Sequence, residues 1–208
     1  MNNVPTVTRY ALSFTTGALL AREVAILAPL HDAHGDWERV RDHAVADNLL
    51  QARTRASSVR LARETVKRLS VLTDEEVRLV VEATAAERAH LMWVAACRRY
   101  DLVGEFAEEV LRERFLLLAS TLRHDEFDSF VRSKALWHEE LAGIKESTLH
   151  KLRSNVFRML REAELLSVAG HITPALLSER VLTLLDARTP SDARFFPTRQ
   201  VELQEVAL

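Results

Sequence analysis

The sequence predicts an all-α, mainly helical protein with helix-turn-helix-like elements, and three observations predict it. Breakers are scarce: of 208 residues only five are Gly and five Pro, and no Pro lies between Pro29 and Pro174. The helix formers Leu, Ala, Arg and Glu dominate. Apolar residues recur at helical spacing behind recognisable capping residues.

The elements follow in chain order. A first helix is predicted over Thr16–Ala28, stopped by Pro29, and His31–Gly35 reads as a loop. Asp36 caps a second helix, with Trp37, Val40, Ala44 and Leu49 or Leu50 inward. Arg53–Ser57 is a break, and Ser57 or Ser58 caps a third helix that runs through Leu69. Thr73 with Glu76 and Thr84 with Glu87 are two capping boxes, so Thr73–Tyr100 reads as one helix or as two. A further helix spans Leu102–Ser120, and another opens at Asp125 with Phe127, Phe130, Val131 and Leu141 as core candidates. Gly143 ends a helix, and Ser147-Thr148 starts one that runs to Ala163. A short β-hairpin, a wing, fits only at 165–172, around the Ala169-Gly170 turn. Thr173-Pro174 supplies an N-cap and a first helical residue for a last helix ending near Asp186. The predicted organisation is an N-terminal helical domain, 1–122, carrying a basic segment at 53–68. A winged helix-turn-helix-like domain at 123–188 follows, and 189–208 is an extended or poorly ordered tail.

Composition excludes several classes. One Cys excludes an internal disulfide and a multi-Cys zinc site. The longest unbroken apolar run, Leu91–Cys97, has seven residues, where a membrane span needs about 20. Met1–Arg9 lacks a basic start followed by an apolar stretch, so no secretory signal is expected and the cytoplasm is the expected compartment. The net charge is −2, so nucleic-acid binding has to rest on local clusters.

Catalytic patterns are weak. His31-Asp-Ala-His34 places two His near an acid without a further ligand and reads as a surface loop. His138-Glu-Glu-Leu-Ala142 lacks the second His of a zincin helix. Cys97 lies in an apolar helix and reads as a small hydrophobe. Asp125, Glu126 and Asp128 read as helix-start acids. No Gly-rich phosphate loop is present, so no catalytic residue, cofactor or metal ligand is expected. Trp37, Trp93 and Trp137 fall on apolar faces and are expected in the core.

Two basic faces stand out. On the 147–163 helix, Ser147, His150, Lys151, Ser154, Arg158 and Arg161 share one side, with Thr148 at the N-terminus. Leu149, Leu152, Val156, Met159, Leu160 and Ala163 share the other. A short helix, a turn, this helix and a hairpin is the order of a winged helix-turn-helix, whose second helix enters the major groove. The other stretch holds Arg53, Arg55, Arg60, Arg63, Lys67 and Arg68 against Glu64 alone. Arginines and hydroxyls before a helix N-terminus suit a phosphate backbone. Both faces also fit ordinary solvated surfaces, and pairing of the second with the acidic stretch Asp74–Glu113 would erase it.

The order of Leu19-Leu-Ala-Arg-Glu23, Asp36-Trp37, Asn48-Leu-Leu-Gln-Ala-Arg-Thr54, Ser57–Arg63, Leu91–Tyr100, Phe106-Ala-Glu-Glu-Val110 and Ser147-Thr148 with Lys151-Leu152 resembles the BrxA family of BREX bacteriophage-exclusion systems. The resemblance spans Tyr10–Leu185. It implies a small, mostly helical, non-enzymatic accessory protein that binds double-stranded DNA in a defence locus. Its contacts would map onto Arg53–Lys67 and Ser147–Arg161, with other BREX proteins as further partners and no membrane. The alternative is a protein–protein adaptor whose charged faces dock other components. Winged-helix patterns often place Gly after the recognition helix, where a left-handed residue is needed. Here Ala163-Glu164-Leu165 occupies that point, which leaves an altered wing or a plain connection.

Overall fold

The computed structural model describes residues 9–14 and 18–199. It is an all-α fold of twelve described α-helices. The N-terminal series is α1 (Ala21–Leu27), α2 (Leu30–His34), α3 (Trp37–Ala46), α4 (Arg55–Leu69), α5 (Asp74–Glu82) and α6 (Ala85–Arg99). Then α7 (Asp101–Phe106) runs through a π-helical segment (Ala107–Arg112) into α8 (Glu113–Leu116). The rest is α9 (His124–Lys134), α10 (Glu139–Ala142), α11 (Glu146–Glu162), α12 (Glu179–Asp186) and a 3₁₀ turn (Asp192–Phe195).

α6 is the axis of the molecule. Its two flanking capping boxes form as the sequence predicts: Thr73 and Glu76 start α5, and Thr84 and Glu87 start α6. Every residue from Ala89 to Cys97 is buried, so α6 has no solvent face in this stretch. A helix that is apolar all round must be enclosed, and α1, α4, α5, α7, α11 and the 3₁₀ turn all pack on it. The close approach of α7 requires Gly104, where a Cβ would meet the Cys97 carbonyl oxygen at 2.9 Å. The core is one cluster running from Tyr10 to Phe196, with members on both sides of position 122.

Two ion-pair networks anchor the periphery. Arg68 is fully buried; its Nε donates to Glu64 at 3.1 Å and its Nη1 to the Ala18 carbonyl at 2.8 Å. Tyr100 donates to the same Glu64 at 2.6 Å, and burial followed by that carboxylate pushes its hydroxyl pKa up. Arg98 forks onto both Glu76 oxygens at 2.6 Å and donates to Asp192 at 2.6 Å. Burial alone would lower the Arg98 guanidinium, but Glu76 and Asp192 outweigh it and hold it above its ordinary value. Removing one partner of such a buried pair strands the other charge, so these are structural locks.

The structure corrects several expectations. The described part of the predicted tail, 189–199, is neither extended nor loose: Asp192, Phe195, Phe196 and Thr198 are buried, and Trp93 Nε1 donates to the Phe195 carbonyl at 2.9 Å. The remainder, 200–208, lies outside the described residues. The last helix begins at Glu179 behind Ser178, not at Thr173-Pro174. Ser178 and Arg180 instead bind Glu87 of α6, and Arg180 holds that carboxyl well below the usual carboxylate range. α1 starts at Ala21 rather than Thr16, and Thr16 itself lies outside the described residues. His31–His34 lies in the short helix α2 rather than in a loop. Thr54, not Ser57 or Ser58, caps α4 by accepting the Ser57 N–H, so Arg55 is helical. Trp93 is in the core, Trp37 is half-buried and stacks on His31 at 4.1 Å, and Trp137 is 76% exposed in the turn after α9.

The 165–172 hairpin forms in minimal shape. Leu166 bridges Ile172, and His171 bridges Thr121 in the segment before α9, both antiparallel. The left-handed residue that ends α11 is present as well: Glu164 adopts φ 60°, and the Leu165 N–H closes onto the Leu160 carbonyl at 2.9 Å.

Candidate nucleic-acid interface

The first basic face is built on the α3–α4 pair, which is joined by a turn containing Asn48 and Gln51 at positive φ. Arg53, Arg55, Arg60 and Arg63 are exposed, and Lys67 is half-buried. α4 alone among the described α-helices has no acid in its first turn. Arg55 is its first residue and Arg53 lies just before the cap Thr54, both beside the positive end of the helix dipole, an arrangement that an incoming anion relieves. A groove between the two helices is lined by Arg41, Asp42, Val45, Arg55, Val59 and Arg63. Sequence reasoning missed Arg41, whose position opposite Arg63 exists only in the packed pair. Its charge is shared with Asp42 at 2.8 Å.

Five of the ten acids of Asp74–Glu113 are committed elsewhere. Glu76 pairs with Arg98, Glu87 with Arg180, Glu108 with Arg194, and Glu105 and Glu109 with Lys134. Among the described residues no ion pair reaches Arg53, Arg55, Arg60, Arg63 or Lys67. Arg68 is the exception within the basic segment, turned inward onto Glu64.

The second face is α11. Ser147, His150, Lys151, Arg158 and Arg161 are exposed, and Thr148 and Ser154 half-buried. Leu152, Val156, Phe157, Met159 and Leu160 fill the opposite side. Lys151 and Arg161 have no ion-pair partner among the described residues. Arg158 does: its Nε lies 2.8 Å from Glu162, whose other oxygen accepts the Leu19 N–H at 2.5 Å. Arg153 pairs with Asp128 and locks α11 to α9.

A cleft beside this face is lined by Arg123, His124, Arg153, Phe157, Arg161 and Gly170. His124 packs edge-on against Phe157 at 4.4 Å, and its pKa is lowered, first by burial and then by Arg153, Arg161 and His150. Burial gives the larger part of that shift, and the cations around the start of α9 add to it. The sequence reading passed over Arg123 and His124, because only the fold brings the start of α9 beside Arg161. Among the described residues no three His, Cys, Asp or Glu side chains converge as a metal-binding group. No described helix is long and apolar enough to cross a membrane.

A family model described as BrxA matches residues 8–189. A relative from Escherichia coli O9:H4 (strain HS), a BREX protein BrxA, is 28% identical over 147 residues, covering 71% of this chain and 69% of that protein. BREX protein BrxA from Bacillus cereus (strain H3081.97) is 25% identical over 142 residues, 68% of this chain and 70% of the relative. BREX protein BrxA from Paramagnetospirillum magneticum (strain ATCC 700264 / AMB-1) is 25% identical over 166 residues, 79% and 80% respectively. A crystal structure of an uncharacterized protein from Magnetospirillum magneticum has the same fold, with TM-score 0.77 at 23% identity over 91% of this chain and 98% of that one.

Proposed function

The chain belongs to the BrxA family of BREX phage-defence systems, and from that premise we propose that it is a non-enzymatic accessory protein that binds double-stranded DNA in the cytoplasm. α9, α10 and α11 act as a helix-turn-helix, with α11 as the recognition helix and 165–172 as its wing. α4 supplies a second contact face. One observation carries the reading: in a chain of net charge −2, none of the ion pairs made by the Asp74–Glu113 acids reaches Arg53, Arg55, Arg60, Arg63 or Lys67, and these, with Lys151 and Arg161, have no ion-pair partner among the described residues. Unpaired surface cations on two helices are what phosphate neutralisation uses. Direct titration of a labelled duplex, followed by fluorescence anisotropy at several salt concentrations, tests this. Salt-sensitive binding supports it, and no binding at low salt refutes it.

A second reading, an adaptor for other BREX proteins, is favoured by Leu136 and Trp137, 78% and 76% exposed in the α9–α10 turn. Adjacent exposed apolar side chains of this size commonly mark contact sites. An adaptor would capture a purified system component with nuclease-treated samples as well as without treatment, and Trp137→Ala would abolish the capture.

A further inference from the structure

Histidines at 31 and 34 give no ligand set by spacing alone, but the fold brings His43 of another helix against His34. His34 is the last residue of α2, Gly35 turns the chain at φ 65°, and Asp36 caps α3. This tight reversal lays His43 of α3 back against His34, with His34 Nε2 2.8 Å from His43 Nδ1. The other ring nitrogen of His43, Nε2, lies 3.1 Å from an Asp47 carboxylate oxygen. A carboxylate only accepts, so Asp47 fixes the His43 proton on Nε2 and leaves the Nδ1 lone pair facing His34. A carboxylate behind a histidine is the usual outer support of a metal-ligating imidazole.

We propose that His34 and His43 form a two-imidazole site for a divalent transition-metal ion of the copper and nickel class. Neutral imidazole nitrogens suit these ions, and copper and nickel bind nitrogen donors more tightly than the earlier divalent metals of the row. Binding requires His34 to carry its proton on Nδ1 and both rings to turn, so that the two lone pairs now bridged by a hydrogen bond of 2.8 Å meet at one ion, with water at the remaining positions. The ion would clip α2 to α3, the helix that packs on α4 and forms one wall of its arginine-lined groove. This site is independent of DNA binding, so either conclusion can fail alone.

The test titrates the full chain with Cu²⁺ and Ni²⁺ by calorimetry, with electron paramagnetic resonance on the Cu²⁺ samples. One equivalent with two-imidazole hyperfine structure is expected, and Cu²⁺ should quench Trp37, which sits between the two histidines in sequence. His34→Gln and His43→Gln, which keep side-chain bulk, should each remove the site while far-UV circular dichroism stays unchanged. Asp47→Asn should weaken affinity about tenfold. His150→Ala, removing an exposed histidine on α11 outside this pair, should leave Cu²⁺ and Ni²⁺ binding unchanged. Equal binding by wild type and either Gln variant, loss of binding in His150→Ala, or no binding at all would overturn the proposal and leave the pair as a hydrogen bond.

Discussion

Removing Lys151 and Arg161 together should flatten the salt dependence of duplex binding by a calculable amount. Both are exposed and unpaired among the described residues, so each is free to displace a counterion from a phosphate. Each phosphate contact contributes about 0.9 to the slope of log K against log salt. The Lys151→Ala/Arg161→Ala variant should therefore lose about 1.8 from that slope. Between 50 and 200 mM salt, a fourfold change, wild-type affinity should fall about twelvefold more than that of the variant. Arg158→Ala should remove less than a full contact, because Glu162 already shares the guanidinium at 2.8 Å. Arg153→Ala should loosen α11 from α9 without touching the slope, since its charge is spent on Asp128. Anisotropy titrations at five salt concentrations give all four slopes. A slope unchanged in the double variant would remove α11 from the interface and refute the reasoning.

Three further outcomes are expected. Gly104→Ala places a Cβ 2.9 Å from the Cys97 carbonyl and 3.3 Å from the Phe195 ring; because the nearest atom is backbone and cannot swing aside, the overpacking lies at the upper end, about 2–3 kcal/mol, and a helix-propensity gain of about 1 leaves a net loss of roughly 1–2 kcal/mol. A thermal melt should read this as a drop of about 2–8 °C; Gly143→Ala, with nothing within 4 Å of its Cβ, is the control that should not fall. Glu164→Gly should be more stable than Glu164→Ala by about 1 kcal/mol, because both remove the carboxylate but only Gly relieves the left-handed backbone; equal urea midpoints would contradict it. Finally, burial lowers the pKa of His90, whose Nδ1 has no hydrogen-bond partner among the described residues and packs beside Phe196, with Glu164 and Glu87 pulling the other way. The unfolded chain then binds the proton more tightly, so the contribution is full above the ordinary histidine value of 6.5 and is lost as pH falls below it. The melting temperature of His90→Phe should decline less than wild type between pH 8 and pH 5.5.

What could be read from the sequence was local. The capping boxes at Thr73 and Thr84 were legible because both halves of each motif lie within four residues. The two-sided pattern of α11 was legible because one helix carries both faces. The C-terminal strap was not: burial of Phe195 and Phe196 depends on Trp93 and Arg98, about a hundred residues earlier. Trp137 misled because the apolar period of α9 runs on past Lys134, where the helix stops. The cationic residues of both faces could be named from sequence, but not which of them were spent. Only the fold shows that Arg68 is a core residue, that Glu162 claims Arg158, and that Glu76, Glu87, Glu105, Glu108 and Glu109 pair with cations other than those of the basic segment.

The enclosed helix α6 has a consequence for synthesis. Its covering elements come from both ends of the chain: α1 and α4 leave the ribosome before it, while α11 and the strap through Phe196 leave last. Until roughly a hundred further residues have emerged, the apolar surface around Trp93 faces the surroundings with no permanent cover. At about 5–20 residues per second, that interval lasts some 5–20 seconds. During that window the Trp93 surface is open to chaperones, and its cover is completed only when the strap emerges.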